Sequence, residues 1–133
     1  MDAARFGNRH KRRHSKTDRF IIVVDGRDIG EIQVARLDDY PSFAVEVGIA
    51  NAASVDIFIG EPEWRDKGVG STAVRQFGDQ IVFSNPEIET CTIDPEPENR
   101  RAIRSYEKAG FTYVRTYHSE DNDVDVYLMR RDR

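Results

Sequence analysis

The chain's first sustained hydrophobic run is Phe20–Val24, short and rich in β-branched and aromatic residues. Asp25-Gly26 follows, and Ile29–Leu37 resumes with mixed alternation, so two strands joined by a tight turn are expected. Ser42–Val47 sets Phe43, Val45 and Val47 at alternate positions and predicts a further strand. Ala50–Ala53 has no readable period. Val55–Ile59, the run VDIFI, predicts a strong strand closed by Gly60 and Pro62. From Ser71 to about Val82 the period changes. Val74, Phe77, Ile81 and Val82 form a helical stripe, which Asn85-Pro86 ends. Ile88–Ile93 reads as a buried strand, broken by Asp94-Pro95-Glu96-Pro97. A second helix begins at Glu98 or Asn99, with Ala102, Ile103 and Tyr106 on its inner side. Gly110 is expected to stop it in a left-handed conformation. Phe111–His118 and Val124–Arg130 predict two last strands around the polar turn SEDND. Strands, helix, strand, helix, strands make a mixed α/β sheet with helices packed against it.

The 133 residues suit one domain, and 38% hydrophobic content suffices for a core. No apolar run approaches a membrane span, FIIVV being five residues long, and no secretory leader pattern is visible. A single cysteine, Cys91, excludes an internal disulfide framework, and a cytoplasmic protein is expected. Cys91 lies in a predicted buried strand and reads as core. His10, His14 and His118 show no zinc-ligand spacing with it, so no metal is expected.

Charge divides the chain. Residues 1–19 carry seven Lys/Arg against two Asp, or +5, and the remainder thirteen against twenty-two, or −9. The basic front reads as a solvated, disordered segment (1–19) ahead of the domain (20–133). A nucleic-acid arm is the competing reading. The acidic body argues against extensive phosphate binding and is compatible with a cationic substrate.

Two stretches carry candidate chemistry. In WRDKGVGSTAVRQF, Gly68 and Gly70 flank Val69 at the head of the first helix. Glycines there allow a turn with several N–H groups pointing outward. The first helical N–H groups have no partner within the helix, and that end of the dipole is positive, so an anion fits. Arg65 and Lys67 add charge at the rim. The pattern is neither a nucleotide P-loop nor the dinucleotide fingerprint. A loop that merely joins strand to helix is the plain alternative. In IDPEPENRRAIRSYEKAGF, Asn99 and Tyr106 stand seven residues apart, about two turns, and can face one side. Ala102 between them leaves room for something slender. An N-capping Asn and a half-buried core Tyr are the plain alternatives.

RDKGVG resembles the acyl-coenzyme A loop of the GNAT acetyltransferase superfamily, Arg/Gln-x-x-Gly-x-Gly/Ala. NRRAIRSYEKAGF resembles the other end of the same module. DIFIGEP…KGVG and TIDPEPENRRAIRSYEKAGF are similar to aminoglycoside 6′-N-acetyltransferases, and the likeness covers roughly Phe20 to Met129. It implies a largely antiparallel sheet whose central strands splay into a V. It implies acetyl-CoA as donor, with the backbone of Ile57, Phe58 and Ile59 along the pantetheine arm. Arg65, Lys67, Gly68, Val69, Gly70 and Ser71 would hold the pyrophosphate, and Asn99, Ala102 and Tyr106 would line the arm and thioester.

The implied reaction is acetyl transfer to a primary amine by direct attack, with an aminoglycoside 6′-amine as first choice. Asp56 would receive or relay the amine proton, or bind the ammonium; an ordinary charged strand residue is the alternative. A backbone N–H from Ile57 to Ile59 would meet the thioester oxygen, and Tyr106 would serve the departing thiolate. Asp94 and Asp121 match acceptor-contacting acids, with Glu120 a weaker neighbour that reads better as a solvated turn. Phe43 and Glu46 are further candidates for the acceptor cleft. The front is short for this family, so the N-terminal strand and roof helices are expected to be absent or reduced, leaving an exposed sheet edge. A homodimer would fit that exposure. The competing functions are a non-catalytic coenzyme A-binding module and acylation of another small amine or hydroxylamine.

Overall fold

The structure is a computed structural model and describes residues 4–8, 16–60 and 68–133. Seven strands form one sheet in the order β1-β2-β3-β4-β5-β7-β6. They are β1 (Arg5–Asn8), β2 (Asp18–Val24), β3 (Arg27–Arg36), β4 (Ala52–Ile59), β5 (Thr90–Ile93), β6 (Thr112–Ser119) and β7 (Val124–Asp132). Every pairing is antiparallel except β4 with β5. The helices are α1 (Pro41–Val47), α2 (Val69–Gln80) and α3 (Arg100–Lys108).

Local chemistry explains most boundaries. Asp25 and Gly26 both take positive φ, the turn that matches strand twist between β2 and β3. In α2, Val69, Ala73, Val74 and Phe77 are buried as one stripe. Asn99 caps α3 by accepting the Ala102 N–H at 3.2 Å. At the other end Gly110 has φ +100°, its N–H reaches Glu107 O, and the Phe111 N–H reaches Tyr106 O. These two bonds satisfy the last helical carbonyls in the expected left-handed stop.

The sheet buries both faces. Ala53 and Val55, with Cys91 and Ile93, face the main core under α2 and α3. The alternate residue Ala52 faces the second cluster, with Leu128, and α1 covers it through Val47.

Two expectations are corrected. Ser42–Val47 is not a strand but most of α1. Pro41 opens that helix, and Gly48 closes it in a left-handed conformation. Phe43 and Val47 lie four apart on the inner face, whereas Val45 between them is 83% exposed, which an alternating strand would not give. The front also holds a strand. β1 pairs with β2 from Arg5↔Val23 to Asn8↔Phe20 and covers that edge. Phe6 packs edge-to-face on Phe77 at 5.2 Å, and the Ala4 N–H donates to Gln76 Oε1 at 2.8 Å. One aromatic in a basic run carries no visible period; partners about seventy residues away anchor it.

Candidate active site

β4 and β5 run side by side only from Ala52↔Thr90 to Ser54↔Thr92. β4 continues to Ile59 with β3 on one side, while β5 ends at Ile93. The expected V is therefore present, with its vertex at Ser54/Thr92. The Gly60 N–H bonds Ile29 O on β3 at 2.9 Å. By strand alternation the N–H groups of Phe58 and Asp56 also face β3, and those of Ile57 and Ile59 face the V.

One cleft, of about 280 Å³, lies along this open flank. Ile57, Phe58 and Ile59 form one wall, Asn99, Ala102 and Tyr106 the other, and Gly70 the end. The sequence candidates from two distant motifs thus meet, with Arg101 and Ser105 added. Ser105 Oγ sits so close to Gly70 that a Cβ there would be 3.3 Å away, so glycine keeps the two helices near each other. Gly68 caps α2 with φ 75°. The first N–H groups of α2, at Val69, Gly70 and Ser71, have no helical partner. The helix starts at Val69 rather than Ser71. Val69 puts its side chain into the core, and only its backbone serves the loop. The Ser71 hydroxyl turns back to donate to Gly68 O at 3.1 Å. Arg65 and Lys67 lie outside the described residues.

A second, larger cleft of about 730 Å³ is carved between β3, β4, α1 and the β6–β7 turn. Asp39, Asp56, Asp94, Glu96 and Asp121 line it, with no Lys or Arg among its described lining residues. Phe43 also lines it, as do Gln33 and Tyr40, which the sequence reading missed. Asp39 in LDDY and Glu96 in DPEPE had the charge but not the spacing to mark them. Glu46 stands behind the wall. Its carboxylate accepts the Ser119 hydroxyl at 3.0 Å and the Glu120 N–H at 3.1 Å. Arg115 on β6 donates to the carbonyls of Glu46 and Val47, so the end of α1 is bolted to β6 as well as to the turn that carries Asp121. Glu120 contributes its backbone to that bolt, and its side chain is outside the cleft wall.

The electrostatics follow from crowding. Asp56 has exposed surface, yet the cleft walls around it raise its pKa, partly offset by the Ile57 N–H, which donates to its carboxylate at 3.0 Å. Burial, then the charges of Asp56 and Glu46, push Asp94 up to about 6. Burial, then Asp56 and Asp94, push Tyr106 up to about 12, so its phenol stays protonated at neutral pH. Burial likewise raises the Cys91 thiol to about 12, which leaves it an inert core group. Among the described residues no His/Cys/Asp/Glu group is arranged to hold a metal, and no helix is long and apolar enough to cross a membrane.

Known proteins resemble this chain in sequence and fold. The family model described as an acetyltransferase (GNAT) domain matches residues 2–119. An aminoglycoside N(6′)-acetyltransferase type 1 from Klebsiella pneumoniae is 30% identical over 112 residues, which are 84% of this chain and 55% of that enzyme. A kanamycin resistance protein from Rhizobium radiobacter is 41% identical over 64 residues, 48% of this chain and 57% of that protein. The chain thus spans about half the length of these curated relatives. The solved structure of AAC(6′)-Ib with ribostamycin and coenzyme A superposes with a TM-score of 0.78 at 28% identity, over 89% of this chain and 65% of that one. With the V, the loop before α2 and the capped α3 in place, the chain belongs to the GNAT acetyltransferase family.

Proposed function

We propose that the chain transfers an acetyl group from acetyl-CoA to a primary amine of a cationic acceptor, the 6′-amine of an aminoglycoside being the first choice. One observation carries this reading: consecutive residues of β4 line the two clefts, Asp56 the acidic one and Ile57 the slender one. A thioester lying along Ile57–Ile59 would have its carbonyl beside the first group of the acidic wall. The pyrophosphate would sit at the amides of Gly68, Val69, Gly70 and Ser71, with Arg65 and Lys67 nearby. Asn99, Ala102 and Tyr106 would flank the pantetheine. A polyamine would be held by Asp94 and Asp121 with Asp56.

The ammonium must lose a proton before its nitrogen can attack. Asp56 is placed to take it. The nitrogen lone pair then adds to the thioester carbon in a ternary complex, so the two clefts act by holding both reactants together. A V-facing N–H of β4 receives the developing oxyanion, and that of Ile57 is available once the Asp56 carboxylate turns to the amine. As the C–S bond breaks, the electron pair goes to sulfur and the Tyr106 phenol supplies the proton.

The test is acceptor-dependent thiol release from acetyl-CoA with a kanamycin-type substrate, using the chain as it is. Release that requires both substrates supports the reading. Tight coenzyme A binding in a folded chain without release for any amine would favour the non-catalytic reading.

A further inference from the structure

Asp56 and Asp94 stand in register across the mouth of the V. Ser54↔Thr92 is the last pair joining β4 to β5, and each aspartate lies two residues beyond it on its own arm. Two residues keep a side chain on the same sheet face. Ala52 on β4 and Leu128 on β7 mark that face, opposite the one that packs on α2 and α3, and both carboxylates line the acidic cleft there. Tyr106 approaches from the helix side and feels both charges.

We propose that Asp56 and Asp94 work as one dyad that grips the ammonium between them and takes up its proton jointly, so that Asp94 is a proton-accepting group of the reaction and not only a binding carboxylate. The proposal rests on the acetyl-transfer reading above. A lone, well-solvated carboxylate is a poor base for an ammonium proton. Two like charges held near each other bind a first proton more tightly than either alone, and their titration belongs to the pair. Here burial and the neighbouring charge both act in that direction on Asp94. The groups facing Asp94 are Asp56 on β4, Glu46 on α1, Tyr106 on α3 and Tyr117 on β6; Asp39, Glu96 and Asp121 share its cleft. Carboxylates prevail among them, so the field favours uptake of one proton.

The steps balance. R–NH3⁺ gives one proton to the dyad, whose charge rises from −2 to −1. The free nitrogen forms the C–N bond, and collapse of the adduct breaks the C–S bond. Tyr106 protonates the sulfur and is reprotonated by the carboxylic acid of the dyad. The second proton of the adduct nitrogen passes to the dyad and then to solvent. The products are the amide, free coenzyme A thiol and one proton.

The experiment compares pH profiles of kcat and kcat/KM for wild type, Asp94→Asn and Asp56→Asn, with ¹³C-carboxyl NMR titration of the same proteins. In the dyad, D94N lowers kcat about tenfold or more. It moves the acidic limb of the profile downward by about one pH unit, because Asp56 loses its like-charged neighbour. D56N lowers the NMR titration point of Asp94 in the same way, with or without turnover. A D94N enzyme that keeps its kcat and acidic limb and changes only the acceptor KM would overturn the dyad while leaving acetyl transfer standing. An Asp94 titration unmoved by D56N would also overturn it. Absence of transfer to any amine by the folded, coenzyme A-bound wild type would instead remove the reading beneath it, and the dyad's role with it.

Discussion

Glu46 and Ser119 are 73 positions apart in the chain, yet the Glu46 carboxylate accepts the Ser119 hydroxyl at 3.0 Å. With the Glu120 N–H at 3.1 Å on its other oxygen, this contact fixes α1 against the β6–β7 turn. Losing a charged hydrogen-bonding group that is partly buried costs about 1–3 kcal/mol. Glu46→Ala is therefore expected to lower the unfolding midpoint and raise the acceptor KM severalfold through misplaced Asp121, while the acetyl-CoA KM stays constant. Denaturation curves with two-substrate kinetics check this. Equal rises in both KM values would contradict it.

Acceptor binding should depend on pH through Asp94. Its pKa in the folded chain is raised to about 6. Native Asp94 therefore takes up its proton as the pH falls through about 6. Above that the carboxylate is charged and attracts the cation; below it the attraction fades. Isothermal titration with a polyamine-rich acceptor should show weaker binding at pH 5 than at pH 7.5, and the difference should shrink in Asp94→Asn. The stability sign is the reverse. A raised carboxyl pKa means that the native state holds a proton the unfolded chain releases, so this group favours folding less as pH rises from about 4 to 6.

Tyr106→Phe removes the phenol that would protonate the thiolate and keeps the ring that packs on Phe111. General-acid groups contribute about 10²–10⁴-fold in rate. We expect kcat to fall by about 10²-fold or more, with coenzyme A affinity within about threefold of wild type. A loss of affinity with kcat intact would assign Tyr106 to binding alone.

Gly30 pairs with Ile59 at the outer end of β4, and a Cβ there would collide with the Phe58 carbonyl oxygen. Backbone cannot yield as a flexible side chain does. Gly30→Ala should destabilise the fold by roughly 1–3 kcal/mol. It should also raise the acetyl-CoA KM, since Ile57–Ile59 form the cleft wall. Thermal melts and donor titrations read both effects.

Local rules made the core elements legible. The Asp25-Gly26 turn, the VDIFI strand and the Gly110 stop each rest on interactions within a few residues, and each lies where its residues predict. The α2 stripe holds at Val74 and Phe77, but the helix runs Val69–Gln80 and leaves Ile81 and Val82 past its end. The two glycine-bearing motifs, far apart in sequence, were also readable as one cleft, because their spacing in the chain belongs to the family pattern. What stayed hidden depends on distant partners. β1 exists because β2, Phe77 and Gln76 receive it. Val45 looked like a strand position until Pro41 and Gly48 bounded a seven-residue helix around it. Asp39 and Glu96 join the acidic wall through the fold of α1 and the segment after β5, which no local spacing reports.

The most direct test of the account is to identify the acetylated atom. A kanamycin-type aminoglycoside would be incubated with acetyl-CoA and the chain, and the product resolved by mass spectrometry and NMR. The account predicts one acetyl group, on the 6′-nitrogen, formed in step with thiol release and lost in Asp56→Asn. Thiol release without an acetylated acceptor, or an acetyl group that forms equally well in Asp56→Asn, would contradict it.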